Sequence, residues 1–277
     1  PGWYVARDGH VIISMPGVPR EMKKMWEEQA LPRLRALAGG TLFTRILRVT
    51  GVGESTVEER LGDLIHATNP TVATYAKFDA VDVRISAKAV NAGEAETLLA
   101  PVEAQICQIF GRRIFGTGTQ ALASVVGGLL RTTGWQLAAM ESCTGGLLSS
   151  YLTDHAGSSD FFRGGVVTYA TDLKARMGVP QATLDQFGVI SDETALAMAQ
   201  AVRGDLGADV GVGITGVAGP DSQEGKPVGE VHIAVASPRG TEVRQLLWRG
   251  ERTDIKHRAA MAALDLLRLH LLGEVEG

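Results

Sequence analysis

The residues with the clearest chemical potential lie in segment 141–146 (ESCTGG), where a predicted strand gives way to a predicted helix. Free backbone N–H groups in the first turn of a helix can bind a phosphate or stabilise the oxyanion of acyl transfer. A serine placed there, Ser142, is either a nucleophile or an N-cap residue. Cys143 is the alternative nucleophile, because a thiol at a helix N-terminus has a lowered pKa, although an isolated cysteine is commonly a small buried residue.

A serine nucleophile needs a base, and histidine is the usual one. None of the six histidines has a distinctive setting: His232 alternates with apolar residues on a predicted strand, and His257 lies between two basic residues on the last helix. Lys174 follows a predicted strand, 166–169, and is the alternative base. It can serve only if burial or a nearby positive charge keeps its amine neutral, whereas an ordinary solvated lysine cannot.

Two apparent phosphate motifs fail on context. Segment 211–216 (GVGITG) matches GxGxxG, but its first two glycines lie inside a predicted strand and no helix follows. Gly225-Lys226 resembles the end of a P-loop, but prolines stand at the two positions that should hold glycine and serine or threonine. A glycine-lined turn, 215–220 (TGVAGP), remains as a place where a ligand can approach the backbone. No HExxH motif or Cys/His cluster indicates a metal.

These candidates must be positioned by a scaffold, and 277 residues suffice for two domains and a further piece. Helices and strands alternate over 118–277, which predicts a layered α/β domain with a mixed sheet. The order β-α-β-β-α over 39–117 predicts a small α+β domain. One strand and one helix over 1–38 are too little for a core, so this section is expected to belong to a domain whose remainder is missing.

Composition excludes several functional classes. A net charge of −4 and an aromatic content of 5% argue against non-specific nucleic-acid binding and base stacking. Two cysteines cannot form a disulfide framework, which favours a reducing, cytoplasmic location. No apolar run approaches the ~18 residues needed to span a bilayer. Neither a membrane nor nucleic acid is therefore an expected partner.

Several ordered motifs together resemble the CinA (competence/damage-inducible protein A) family, whose C-terminal domain is the nicotinamide mononucleotide deamidase. The motifs that carry this resemblance are 141–146, 156–159 (AGSS), 167–169 (VTY) with Lys174, 215–220, and 226–229 (KPVG). Segment 15–22 (MPGVPREM) resembles the end of the family's molybdopterin-binding-like N-terminal domain, and 41–116 resembles its KH-like domain. The resemblance thus implies a remnant of an α/β domain, a KH-like α+β domain and an amidohydrolase domain.

The resemblance also implies a mechanism and a set of site residues. Ser142 would be the nucleophile, Lys174 the general base and Tyr169 a hydrogen-bonding partner that orients one of them. The N–H groups near Thr144 and Gly145 would form the oxyanion hole. Further substrate contacts are expected from Cys143, Gly146, Thr215, Gly216, Ala218 and Gly219, and phosphate contacts from Arg163 and Arg258. Attack on the carboxamide would release ammonia and form an acyl-enzyme, which water converts to nicotinic acid mononucleotide, a step of pyridine nucleotide recycling.

No cofactor or metal is expected for this reaction; the expected partners are a small-molecule nucleotide substrate and further copies of the chain in a homo-oligomer. Two other functions stay open. One is a protein that binds a nucleotide without chemistry. The other is ADP-ribose pyrophosphatase, an activity of the family's N-terminal domain, most of which is absent from this sequence. The GxxG clamp that KH domains use on nucleotides is not seen, since Gly51-Val52-Gly53 has the wrong spacing.

Overall fold

The computed structural model describes residues 2–37 and 40–273. The strands are β1 (Trp3–Arg7), β2 (His10–Ser14), β3 (Thr41–Val49), β4 (Thr71–Ala76), β5 (Val81–Ala89), β6 (Ile114–Thr117), β7 (Leu137–Glu141), β8 (Phe162–Val167), β9 (Val210–Gly216), β10 (Glu230–Ser237) and β11 (Gly240–Leu247). The helices are α1 (Pro19–Met25), α2 (Leu31–Leu37), α3 (Glu54–Leu61), α4 (Ala92–Phe110), α5 (Leu122–Thr133), α6 (Leu147–Thr153), α7 (Thr171–Arg176), α8 (Gln181–Phe187), α9 (Asp192–Asp205) and α10 (Arg252–Leu272).

The chain forms two compact units. One consists of 1–46, 58–74 and 83–109, and the other of 47–57, 75–82 and 110–277. Every candidate site residue lies in the second unit. The domain boundaries expected from the sequence, 1–38, 39–117 and 118–277, remain predictions.

The second unit is built on a five-stranded sheet with the order β11-β10-β9-β7-β8. Strand β7 runs parallel to β8 and β9, whereas β10 runs antiparallel to both β9 and β11. The predicted mixed sheet is therefore confirmed. Because β7, β8 and β9 are parallel, their carboxyl ends meet at one edge, where open α/β sheets bind ligands.

Helices cover both faces of this sheet, as the layered α/β prediction requires. Ala139 on β7 packs with residues of α5, α6 and α10 on one face, whereas Ala138 and Met140 pack with residues of α8 and α9 on the other. This alternation follows from the two-residue period of a strand. Both faces are apolar, so the central strands are buried along their length.

The glycines of β9 serve packing. A Cβ atom on Gly211 would lie 1.9 Å from the carbonyl oxygen of Ala199, and one on Gly213 would lie 2.1 Å from that of Ala195. Both carbonyls belong to α9, so the missing side chains let this helix approach the sheet closely. Both glycines lie inside the strand and a loop follows it, which confirms that the GxGxxG match is not a dinucleotide motif.

A second sheet has the order β4-β5-β3-β6, and with α3 and α4 it gives the predicted α+β arrangement. Strand β6 was not expected, and α4 runs from Ala92 to Phe110 with Pro101 inside it. Strand β1, paired with β2, also escaped prediction because four of its five residues are exposed, which leaves no apolar alternation. Among the described residues, no helix is both long and apolar enough to cross a membrane.

Candidate active site

Ser142 lies at the carboxyl edge of the central parallel strands. It directly follows β7, and its backbone N–H donates to the carbonyl oxygen of Ile214 on β9, at 2.9 Å. The sheet hydrogen bonding therefore continues through this residue and fixes where its side chain emerges. Ser142 is 8% exposed, so its hydroxyl is largely shielded from bulk water.

Ser142 is not the N-cap of the following helix. Helix α6 begins at Leu147, and its N-cap is Gly146, whose φ of 95° lies in the left-handed region that favours glycine. Four residues, 143–146, thus separate Ser142 from the helix, and the N-cap interpretation of this serine is wrong. Two consecutive glycines with positive φ, Gly145 and Gly146, let the chain turn this sharply between strand and helix.

The first turn of α6 is capped by the fully buried carboxylate of Glu141. It accepts hydrogen bonds from the N–H groups of Gly146 (3.0 Å), Leu148 (3.1 Å) and Ser149 (2.9 Å), and from the Ser149 hydroxyl (2.7 Å). The N–H of Gly145 donates to the Ser142 carbonyl, at 3.0 Å. The expectation that Gly145 supplies an oxyanion-hole donor is therefore wrong, and the N–H of Gly146 is also occupied.

Lys174 meets Ser142 across the carboxyl edge of the sheet. Its amine Nζ lies 3.1 Å from the Ser142 Oγ and donates to the carbonyl oxygen of Thr168 at 2.8 Å. Burial, which leaves the residue 2% exposed, lowers the pKa of Lys174 because it disfavours the charged amine; Cys143 and Glu224 oppose this effect. Within residues 2–37 and 40–273, no ion pair engages Lys174, so no carboxylate in contact holds a proton on its amine.

The pKa of the neighbouring thiol, that of Cys143, is shifted upwards. Burial raises the pKa of Cys143 to about 12, although the nearby backbone N–H groups of Cys143 and Thr144 and the charge of Lys174 act against it. A thiol with this pKa is protonated at neutral pH, and the thiolate is the nucleophilic form. The structure therefore favours Ser142 over Cys143 as the nucleophile.

Ser142 and Lys174 line a cavity of about 100 Å³. The other sequence-predicted residues in its lining are Cys143, Tyr169, Thr215, Gly216, Ala218 and Gly219. Val217, within the predicted turn 215–220, also lines the cavity, and the lining residues that sequence reasoning missed are Thr171, Val189, Ile190, Asp221, Gln223 and Arg252. Thr215 contributes to the wall through a hydrogen bond of its hydroxyl to the Val189 carbonyl, at 2.6 Å.

Tyr169 does not orient either member of the pair. It lies two residues beyond β8 and is 57% exposed, and its hydroxyl is hydrogen-bonded to the guanidinium of Arg252. Arg252 also donates to the carbonyl oxygen of Gly219. The expectation for Tyr169 is thus corrected: it forms part of the cavity mouth together with Arg252.

Sequence reasoning missed Arg252, which precedes the first buried apolar residue of α10, Ile255. A local signal was present: Glu251 and Asp254 form a capping box, which marks Arg252 as the first residue of α10.

The two arginines predicted to bind phosphate lie elsewhere. Arg163 is near the start of β8, which is parallel to β7 with Val167 opposite Glu141, so Arg163 lies towards the edge of the sheet remote from Ser142. Its Nε donates to the Leu206 carbonyl, at 2.9 Å. Arg258 lies six residues beyond Arg252 on α10, about 9 Å along the axis, and donates to the Arg249 carbonyl at 3.2 Å. Neither lines the cavity, so both expectations are wrong.

The part of the chain that the structure describes contains no group of three or more His, Cys, Asp or Glu side chains arranged to hold a metal ion.

Two family models match the chain. Residues 119–271 match the CinA C-terminal domain, and residues 44–116 match the damage-inducible protein CinA KH domain. A CinA-like protein from Kosmotoga olearia is 41% identical over 275 residues, covering 98% of this chain and 67% of the relative. A putative competence-damage inducible protein from Moorella thermoacetica is 42% identical over 279 residues, covering 99% of this chain and 67% of the relative. The chain thus spans about two thirds of the length of these curated relatives.

Solved structures resemble the C-terminal part of the chain. The competence/damage inducible protein CihA from Agrobacterium tumefaciens has a TM-score of 0.52 and 37% identity, covering 55% of this chain and 93% of its own. A competence-damaged protein (CinA) superfamily member from Enterobacter cloacae has a TM-score of 0.53 and 33% identity, covering 56% of this chain and 94% of its own.

Proposed function

This chain belongs to the CinA family, and we propose that it hydrolyses the carboxamide of nicotinamide mononucleotide to nicotinic acid mononucleotide and ammonia. The observation that carries the proposal is the buried pair of Ser142 and Lys174, whose Oγ and Nζ atoms lie 3.1 Å apart. A serine hydroxyl beside a lysine of lowered pKa supplies a nucleophile and an adjacent base, which amide hydrolysis through an acyl-enzyme can use.

The hydrogen bonds of Lys174 support its role as the base. A neutral amine has two N–H groups and one lone pair. One N–H donates to the Thr168 carbonyl, so the lone pair can accept the Ser142 hydroxyl proton. As Oγ bonds to the carboxamide carbon, this proton passes to Nζ. Nζ then gives it to the leaving nitrogen as the C–N bond breaks, and ammonia departs.

Deacylation uses the same two groups in reverse. Water attacks the acyl carbon while the Lys174 Nζ takes its proton, and the bond from that carbon to the Ser142 Oγ breaks. The proton returns to Oγ, which restores the hydroxyl and the neutral amine, and the acid is released. The developing negative charge on the carbonyl oxygen is assigned to the N–H groups of Cys143 and Thr144, because the next two N–H groups are already occupied.

The size of the cavity supports a substrate whose amide lies on a small planar ring. A cavity of about 150 Å³ holds benzene, so a cavity of about 100 Å³ holds a carboxamide and part of its ring. The ribose and the phosphate would then lie outside it. Arg252 is at the mouth, and its guanidinium has the planar donor geometry that matches a phosphate.

The test is to incubate the purified chain with nicotinamide mononucleotide and to measure ammonia enzymatically and nicotinic acid mononucleotide by mass spectrometry. The proposal expects equal amounts of both products from the wild type and almost none from Ser142→Ala. Saturable binding of the nucleotide without ammonia release would instead identify a protein that binds nucleotides without chemistry, and it would refute the proposal.

A further inference from the structure

The cavity is enclosed by two segments that are distant in the sequence. The loop 217–229, between β9 and β10, supplies one wall, including Ala218 and Gln223, and the segment before α9 supplies Val189 and Ile190. Val217 and Gly229 at the ends of the loop still take part in backbone pairing, but the rest of the loop and the segment before α9 lie outside the sheet. The Glu224 side chain of the loop accepts from the Val189 N–H at 2.9 Å and is one link between the two walls. The width of the cavity therefore depends on the side chains that join these two walls.

A chain of charged side chains joins them. Lys226 of the loop pairs with Glu230 at 2.9 Å, and Glu230 accepts from the Nε2 of His232 at 3.1 Å. The Nδ1 of His232 lies 2.6 Å from the Oδ1 of Asp192, the first residue of α9 and two residues beyond Ile190. His232 is 3% exposed and provides a second link, from the loop to the start of α9.

Both ring nitrogens of His232 are engaged by carboxyl groups. The Lys226 ammonium and the His232 ring hold the pKa of the Glu230 carboxyl below its ordinary value, against the effect of burial, so Glu230 is ionised at neutral pH. An ionised carboxylate only accepts hydrogen bonds, so the Nε2 of His232 donates to Glu230. The ring therefore bridges the Glu230 carboxylate and the carboxyl group of Asp192.

The same ring lies beside the wall of the cavity. His232 is the direct cross-strand partner of Thr215 on β9, and directly opposed residues of antiparallel strands share a face at about 5 Å between Cβ atoms. Thr215 in turn holds the Val189 carbonyl through its hydroxyl. A substitution at His232 is therefore expected to displace both walls of the cavity. Ser142 and Lys174 are positioned by β7 and α7, which none of the four side chains Lys226, Glu230, His232 and Asp192 contacts.

We propose that His232 is a positioning residue that fixes the separation of the two cavity walls and so sets the affinity for the nucleotide substrate. The proposal rests on the proposed function for its kinetic readout. Loss of the link should raise KM and leave kcat nearly unchanged, because the reacting groups stay in place.

His270 offers a matched control. It is also a buried histidine of this unit, 5% exposed, and its Nε2 lies 2.6 Å from the Ser237 Oγ. Ser237 is at the other end of β10 from the cavity, roughly 17 Å from His232 along the strand. His270→Gln therefore removes a comparable buried histidine without touching either wall.

The experiment compares the full wild-type chain with His232→Gln, Asp192→Ala and His270→Gln. One measurement is KM and kcat for ammonia release from nicotinamide mononucleotide. The other, which needs no activity, is hydrogen exchange in peptides covering 217–229 and 188–192. We expect His232→Gln and Asp192→Ala to raise KM roughly tenfold, the equivalent of one hydrogen bond, and to speed exchange in both peptides. His270→Gln should leave KM and both peptides unchanged.

Three results would overturn the inference: an equal rise of KM in His270→Gln, an unchanged KM in an active His232→Gln, or unchanged exchange in both wall variants. If His232→Gln does not fold, Asp192→Ala decides, because the half-exposed Asp192 side chain is tolerant of truncation. If the wild type releases no ammonia, the proposed function fails by itself, and faster exchange in the wall variants still supports the link while unchanged exchange refutes it.

Discussion

Replacing Lys174 by methionine removes the amine and keeps most of the volume of the side chain. Methionine fills a similar volume in this buried position but cannot take a proton from Ser142 or donate to the Thr168 carbonyl. Removal of a general base costs roughly 10²- to 10⁴-fold in rate. We expect Lys174→Met to lose at least this much kcat/KM for nicotinamide mononucleotide, while Lys88→Met, at an exposed position, should behave as the wild type.

The pH dependence gives this prediction its sharper form. An ordinary lysine has a pKa near ~10.4, which leaves roughly four neutral amines in ten thousand at pH 7. Burial lowers the pKa of Lys174, and each unit of lowering raises the neutral fraction at pH 7 about tenfold. Below that pKa, the kcat/KM of the wild type should rise about tenfold per pH unit, whereas the small residual rate of Lys174→Met should lack this slope.

The substitution Lys174→Met should increase stability although it lowers activity. Since the pKa of Lys174 is lowered in the folded state, the unfolded chain binds more protons, and the cost of burial is fully present below the folded pKa. This cost disappears as the pH rises past the pKa of the unfolded chain. Lys174→Met should therefore raise the melting temperature at pH 6 and raise it less near pH 10.

The assay is the initial rate of ammonia release from pH 6 to pH 10, together with thermal unfolding in the same buffers. A Lys174→Met enzyme that keeps more than a tenth of the wild-type kcat/KM would refute the lysine as base. So would a tenfold slope per pH unit that persists in this variant, because another group would then control the reaction.

Three further outcomes are expected. Ser142→Ala should lose several orders of magnitude of ammonia release while Cys143→Ala keeps most of it, as the buried thiol with a pKa of about 12 requires; the reverse pattern would make Cys143 the nucleophile. Arg252→Ala should raise KM for the nucleotide about tenfold or more, whereas Arg258→Ala, outside the cavity, should not; equal effects would show that the phosphate is bound elsewhere. Glu141→Gln should lower the free energy of unfolding by roughly 1–3 kcal/mol, because an NH2 group replaces one carboxylate oxygen and cannot accept hydrogen bonds from the N–H groups of α6. An unchanged free energy of unfolding in chemical denaturation would contradict the capping role.

The position of Ser142 was predictable because the change from strand to helix periodicity is local. The strand, the two glycines and the following helix all lie within about fifteen residues of the sequence. The same window could not reveal that Glu141 caps the helix, because serine and aspartate are the common caps and they precede the first turn directly. Glu141 instead reaches the turn from the end of β7, around the loop that the two glycines form.

The wrong placement of Arg163 has a different cause. The apolar pattern predicted a strand at 166–169, which would place Arg163 in the turn that precedes it. In the structure, β8 begins at Phe162 and includes Gly164 and Gly165, which weaken any strand signal. Either placement puts Arg163 at the amino edge of the sheet. Because β8 runs parallel to β7 and Ser142 follows the carboxyl end of β7, the two residues lie at opposite edges. Contacts such as that between Tyr169 and Arg252, which are 83 residues apart, depend on strand order and have no local signal.

The capping of α6 also bears on where an anionic substrate can bind. The N-terminus of a helix attracts anions through its free N–H groups and its dipole. Here the Glu141 carboxylate occupies that position and satisfies three of those N–H groups, so a phosphate brought to the same turn would meet a buried negative charge. Recognition of a phosphate must then come from a side chain at the mouth of the cavity. Arg252, the first residue of α10, meets this requirement because it lines the cavity and bonds to Tyr169 and to the Gly219 carbonyl, neutral groups that a phosphate can replace.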